Sequence, residues 1–347
     1  MGKSLLKPVY TEDDVQNILG LMKAVPYNTQ VDVSNDISAR WRESGHILGS
    51  ASIELTVKED GKSKVVVFSG DIGPDDMAII KDPEPFSDAD LVFMESTYGD
   101  HDHKSLQDTL MEGKNIIEKA FNEKGKILVP AFAVGRTQQL LYYIARAVHR
   151  GNLPMIPIYL DSPMAIEATK IYVKHKELYD DEAAELFRQG VLKGDFTQMH
   201  ISKTAEESMQ LNEVSGPCMI IAGAGMCNAG RILHHLKHNL WKPQTTVMIV
   251  GYQGQGSLGR KLLDGENKVK IYGEEIAVKA NIASMGGLSA HADQSGLIKW
   301  FGAIAKSKPK LVLSHGEDRG RKPLAKLIKK KFGIEAILPK YSETIKI

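Results

Sequence analysis

Three side chains able to grip a metal ion stand at the same kind of position in this sequence. His46 lies in the glycine-flanked turn Ser44-Gly45-His46-Ile47-Leu48-Gly49-Ser50, just before an apolar stretch. Asp71 follows the apolar run Val65–Phe68, and His315 follows Leu311–Ser314 directly. Imidazole and carboxylate suit zinc, and neighbouring glycines let the backbone approach an ion closely. Taken singly, each is more often a satisfied structural residue. Their shared place after or before strands, where layered α/β folds assemble sites, makes them a set. Glu95 ends the run Leu91–Met94, and His291 lies in Gly286-Gly287-Leu288-Ser289-Ala290-His291-Ala292-Asp293. A histidine oriented by a carboxylate near metals can protonate the oxygen that departs in phosphodiester cleavage. The plain alternative is that Glu95 caps a turn and His291 opens a helix; spacing alone does not reject it.

The elements that must position these residues come in two rhythms. Thr11 can cap a first helix, with Glu12, Asp13 and Asp14 favoured by its dipole. Short alternating runs follow at Gln30–Val33, Ile37–Trp41, Ser50–Val57 and Val65–Phe68, as in paired strands with one buried face. After Leu91–Met94 the pattern becomes strand then helix. Ile127–Phe132 precedes a helical Arg136–Val148, and the continuous apolar runs Ile156–Leu160, Met219–Ala222 and Val247–Val250 follow. Such runs imply a parallel sheet covered on both faces. The chain closes with Ile276–Ser284, a helix near 292–305, the strand Leu311–Ser314 and a basic helix to Phe332. This predicts an α/β protein with a sandwich-like domain formed from both ends and an inserted domain between.

Other residues carry weaker signals. Arg136 and Arg231 each open a helix behind glycines and could hold an RNA phosphate, although a surface arginine is the commoner outcome. The run from Arg319 to Lys331 holds seven basic residues and no acid, which reads first as a solvated helix face. His234 and His238 lie one helical turn apart but lack the glutamate of the metalloprotease motif. A nicotinamide site after Met219–Ala222 fails, because Asn228 replaces the required small residue and no acid occurs from Arg231 to Leu263.

Six blocks, in order, resemble one family. They are Ser-Gly-His-Ile-Leu-Gly-Ser-Ala, Phe-Ser-Gly-Asp-Ile-Gly, Glu-Ser-Thr-Tyr-Gly-Asp, Pro-Ala-Phe-Ala-Val-Gly-Arg-Thr-Gln, Leu-Asp-Ser-Pro-Met-Ala and Leu-Ser-Ala-His-Ala-Asp. Together they resemble the β-CASP branch of the metallo-β-lactamase superfamily, whose members process RNA and DNA. The resemblance implies an αββα metallo-β-lactamase sandwich from 1–99 and 289–347, with a β-CASP domain inserted at 100–288. It implies that His46, Asp71 and His315 are metal ligands, Asp71 bridging two zinc ions, and that Glu95 and His291 assist leaving-group protonation. The partner it implies is RNA, single-stranded, in a cleft between the domains.

One departure stands out. The family's His-x-His-x-Asp-His signature should precede His46, and it does not occur. Among eleven histidines only His101 and His103 have His-x-His spacing, and Lys104 and Ser105 follow where x-Asp-His would be needed; they read as a polar loop. Of the seven protein ligands that the family site implies, this chain retains three. Zinc sites normally use three or four protein ligands per ion, so the expectation is weak or absent zinc and impaired activity in a shortened form. A non-catalytic RNA-binding or scaffold homologue is the rival reading.

Composition bounds the rest. Net charge is +1, which gives no global field to attract nucleic acid, and the two cysteines, Cys218 and Cys227, form no CxxC pair. A reducing, cytoplasmic address is expected, with no membrane partner and with a homodimer allowed.

Overall fold

The structure, a computed structural model, describes residues 8–190 and 199–346. A short helix α1 (Glu12–Leu19) is capped by Thr11 and Asp14 in a reciprocal capping box and buries no residue. A seven-stranded mixed sheet follows. Its order is β1 (Gln30–Asp32), β2 (Ile37–Glu43), β3 (Ala51–Glu59), β4 (Lys62–Phe68), β5 (Leu91–Met94), β14 (Lys310–Leu313) and β15 (Ala336–Ile337). Strands β1 to β4 form an antiparallel meander, while β4, β5 and β14 run parallel, with Phe68 beside Phe93 and Met94 beside Leu313. Glu43 pairs with Ala51, and Ile53 with Phe68. The β2–β3 turn and the ends of β4, β5 and β14 therefore leave the sheet at one edge.

One face of this sheet is covered by α9 (Gln294–Ile304) and α10 (Asp318–Phe332). Val67, Val92, Met94, Leu311 and Leu313 pack there with Leu297, Phe301, Leu324 and Ile328. Helix α10 buries Gly320, Leu324 and Ile328, a stripe at four-residue spacing that leaves its lysines outside. The basic run is thus a solvated face, its first turn paired with Asp318 through Arg321 and Lys322. On the other face lie Val66, Leu91 and Val312, and Phe68 stacks on Phe93 with ring centroids 4.8 Å apart.

The second sheet is parallel throughout, in the order β13 (Asn281–Ser284), β10 (Thr246–Ile249), β6 (Lys126–Pro130), β9 (Cys218–Ala222), β7 (Ile158–Asp161) and β8 (Met199–Ile201). Helices α2 (Leu106–Asn122), α3 (Arg136–His149), α4 (Pro163–Lys174) and α5 (Asp181–Arg188) contribute to one core. After α6 (Ala205–Gln210), α7 (Arg231–Asn239) and α8 (Leu258–Leu263) pack in another. Burial on both faces explains the unbroken apolar runs of β6, β9 and β10. The stretch expected as one unit, Ile276–Ser284, is divided. Its start belongs to a hairpin of β11 (Lys268–Ile271) and β12 (Glu274–Ala277), turned at Tyr272 and Gly273, both with positive φ. Only β13 joins the parallel sheet. Among the described residues no helix is long and apolar enough to cross a membrane.

A buried ionic cluster fastens α7 to this sheet. Asp161, wholly buried at the end of β7, accepts bonds from Ser208 Oγ at 2.6 Å, Arg231 Nη1 at 2.7 Å and His235 Nε2 at 2.6 Å. Arg231 also donates to the carbonyls of Ser202 and Lys203. This differs from its expected place at an RNA surface: the guanidinium is committed to a buried carboxylate and two backbone oxygens. Burial pushes the Asp161 carboxyl up, but the bonds from His235, Ser208 and Arg231 outweigh it and hold it below the usual range. The cluster's contribution is therefore present at neutral pH and fades as pH falls through that lowered pKa. Arg231→Met should cost about 3 kcal/mol in urea unfolding at pH 7, since it strips a partner from a buried charge. The gap from wild type should narrow toward pH 3.

Candidate metal centre and active site

The common sheet edge delivers four loops to one place. His46 comes from the β2–β3 turn, Asp71 from the end of β4, Glu95 from the end of β5 and His315 from the end of β14. His291 arrives from the parallel unit, seven residues beyond β13. Asp71 turns one oxygen to each flanking histidine: Oδ2 is 3.6 Å from His46 Nε2 and Oδ1 is 3.3 Å from His315 Nδ1. Zinc bonds of about 2.0–2.1 Å at tetrahedral angles set neighbouring donors roughly 3.3 Å apart, so each of these two spacings fits a pair of zinc ligands, although the three residues do not form one close group. Among the described residues two groups could hold an ion, His46–Asp71–His291 and Glu95–His291–His315, which share His291.

The loops are braced through the backbone. Gly73 donates its N–H to the Ser44 carbonyl at 2.8 Å, and a Cβ there would lie 1.8 Å from the Gly45 oxygen. Only glycine lets the Asp71 loop come this close to the His46 turn. His46 Nδ1–H donates to the Ala290 carbonyl at 2.9 Å, which leaves Nε2 as the lone-pair nitrogen next to Asp71. Thr97 Oγ1 donates to the His315 carbonyl at 3.1 Å and lies 3.3–3.4 Å from Nδ1 of His315 and His291. His315 itself has φ +45, a left-handed backbone rare for a histidine.

Electrostatics separate His46 from His291. Burial, followed by the charge of His291, pulls the His46 pKa down, which favours the neutral imidazole that a metal needs. His291 Nδ1–H donates to Glu95 Oε1 at 2.9 Å. Burial alone would lower His291, yet the hydrogen bond and charge of Glu95 raise it above the usual imidazole value. Glu95 is buried and would rise, but His291, the Thr97 side chain and the Ile72 N–H hold it low. Each partner thus favours the charged form of the other. Glu95 also bonds two backbone N–H groups, so it braces a turn as well as orienting His291.

Arg136 differs from expectation. It opens α3, but only 4 % of it is exposed and Nη1 donates to Gln139 Oε1 at 2.8 Å. Burial pushes its pKa down to about 10, with Tyr98, Tyr143 and Tyr172 nearby. It does not present its charge at a surface. Two further residues at the site, Thr97 and His103, are not singled out by local sequence pattern. Thr97 lies inside the Glu95–Asp100 block, with its hydroxyl as the one readable signal. His103, in the expected polar loop, sends Nε2–H to the His291 carbonyl at 2.9 Å, and its backbone N–H bonds Asp293. Its partner is 188 residues away, beyond local patterning.

Most of the chain is similar to known proteins. Residues 137–262 match the Beta-Casp domain, and residues 275–339 match the Zn-dependent metallo-hydrolase RNA specificity domain. Ribonuclease TTHA0252 of Thermus thermophilus is 35% identical over 345 residues, covering 99% of this chain and 77% of the relative. The chain belongs to the β-CASP family of the metallo-β-lactamase superfamily. This is a family of metal-dependent RNA hydrolases, and the fold is the metallo-β-lactamase type with a β-CASP insertion. The RNase J-like protein of Methanocaldococcus jannaschii is 29% identical over 340 residues, 96% of this chain and 76% of that protein. Transcription termination factor FttA of Cenarchaeum symbiosum is 30% identical over 361 residues, and the chain spans 54% of it.

Two outcomes follow from this geometry. Gly73→Ala must part the Asp71 and His46 loops, so zinc affinity, read by competition with a chromophoric chelator, should fall about 10- to 100-fold. Glu95→Gln should drop the His291 titration midpoint below the ordinary value of about 6.5, followed by NMR of the ring C–H in metal-free protein. Stability from this pair is full between about pH 4.5 and 6.5, fades at lower pH as Glu95 protonates, and is lost as pH rises through the raised His291 pKa, so wild type and variant should converge at alkaline pH.

Proposed function

We propose that this chain is a zinc-dependent ribonuclease that hydrolyses phosphodiester bonds in single-stranded RNA. The observation that carries the reading is the Asp71 carboxylate aimed at His46 and His315 with the Glu95–His291 pair beside it. His46, Asp71 and His315 would hold zinc. Zinc bound there supplies a Lewis acid that makes water a nucleophile near neutral pH. His291, charged through Glu95, gives its proton to the oxygen that leaves as the P–O bond breaks, and Glu95 stabilises the charged form until then. Thr97 and His103 hold the two histidine loops in register. Support for RNA as substrate comes from the matched RNA specificity domain and the ribonuclease relatives.

So few protein ligands favour weak zinc occupancy, so metal must be supplied in excess. We take 1–99 with 289–347 as the metal-binding unit and 100–288 as the inserted one. A cytoplasmic enzyme fits two cysteines that are buried and unpaired. The homodimer is a further part of this reading, checked by sedimentation.

The test is cleavage of a labelled single-stranded RNA with zinc titrated in, alongside metal analysis. His291→Ala should lower kcat about 10²- to 10⁴-fold. Asp71→Asn should lose zinc and activity together. Zinc-saturated protein that binds RNA without cutting it would overturn the enzyme and leave a binding or scaffold role.

A further inference from the structure

The parallel sheet ends, at the C-terminal edge of its middle strands, in a place where open α/β sheets take ligands. Phe132 stands there, two residues beyond β6, and 43% of it is exposed. An exposed phenylalanine alone means little. This one is held. Its carbonyl accepts both the N–H and the hydroxyl of Thr137, at 3.3 and 2.8 Å, which anchors its backbone to the first turn of α3.

Its ring is braced as well. A Cβ on Gly225 would lie 2.6, 2.7 and 3.0 Å from Phe132 Cδ2, Cε2 and Cγ, so the ring rests along that side against bare backbone. A Cβ on Gly251 would meet Cε2 at 3.9 Å. The buried Gln253 side chain donates to the carbonyls of both glycines, fixing the support. The ring therefore has a set position and an open remainder.

Phe132 is also bracketed by the catalytic loops. A Cβ on Gly135, in the same loop, would lie 2.5 Å from Ile47 Cγ2, next to His46. On the other side, Gly251 leads into Tyr252, whose ring is 5.5 Å from that of Tyr98, itself 6.5 Å from His291.

We infer that Phe132 is a base-stacking platform, on whose open ring an unpaired nucleobase seats while its strand passes the His46–Asp71–His315 cluster. The inference rests on RNA being the substrate, and it adds a positioning residue to that reading. A ring without hydrogen-bonding groups accepts any base by its π-face but cannot reach one whose faces are covered within a duplex. Phe132 would thus select for single strands rather than for sequence.

The experiment uses a ten-nucleotide 2′-O-methyl oligoribonucleotide, which resists cleavage, with one 2-aminopurine moved along it. Wild type should quench the probe several-fold at one position or two adjacent ones. Phe132→Leu should abolish that quenching and Phe132→Tyr should keep it. An abasic nucleotide at the same position should weaken binding about tenfold for wild type and leave Phe132→Leu unchanged. On cleavable RNA, Phe132→Leu should raise KM by a larger factor than it lowers kcat. Quenching that survives Phe132→Leu, or an equal abasic penalty in both proteins, overturns the platform while RNA binding stands. If wild type binds no oligonucleotide and cuts no RNA, the ribonuclease reading fails and takes this inference with it.

Discussion

Asp71 turns its two carboxylate oxygens toward two histidines that lie 25 residues before it and 244 residues after it, each within 3.6 Å. Side chains on independent loops would not hold such spacing, because ordering each residue costs about 1–2 kcal/mol of backbone entropy. The spacing depends on backbone contacts. Gly73 lies against Gly45 with no room for a side chain between them. The Ala290 carbonyl receives the His46 ring, and the Thr97 hydroxyl receives its place from the His315 carbonyl.

The second constraint is the buried pair of Glu95 and His291. It joins a strand end of the mixed sheet to the segment leaving the parallel sheet, so the two units meet at the candidate site. A buried ion pair offsets its desolvation only when its remaining polar atoms are satisfied. Here Ile72 and Thr97 supply N–H groups to Glu95, while His103 and Ser289 hold the backbone of His291 on either side. The loop 100–105, which has no regular structure, acts as the clasp between the units. Asp102 receives the N–H and hydroxyl of Ser295 at the start of α9.

Arginine shows how burial decides between roles that composition leaves open. Arg136 and Arg231 sit in similar sequence settings, each opening a helix after glycine. Arg231 meets Asp161 and becomes a fastener within the inserted unit. Arg136 meets tyrosines and Gln139 in a buried place behind the active site, where its charge is felt by His291 and His103. Arg136 is buried, whereas Arg231 keeps part of its side chain at the surface.

The types of the ligands, their positions at strand ends and the rhythm of the elements were all legible in the sequence, because each depends on neighbours within a few residues. Val65–Phe68 then Asp71, Leu91–Met94 then Glu95, and Leu311–Leu313 then His315 are local patterns, and so is the Thr11 cap. The division at 276–284 was legible only weakly, in the turn at Tyr272 and Gly273. What the tertiary structure alone decided are pairings across long sequence separations: which oxygen of Asp71 faces which histidine, Thr97 between two rings, His103 on the His291 carbonyl, Arg231 on Asp161, and the burial of Arg136. Periodicity tells which face of an element is apolar. It does not tell which polar groups meet once the faces are packed, since that follows from the order of strands in the sheet.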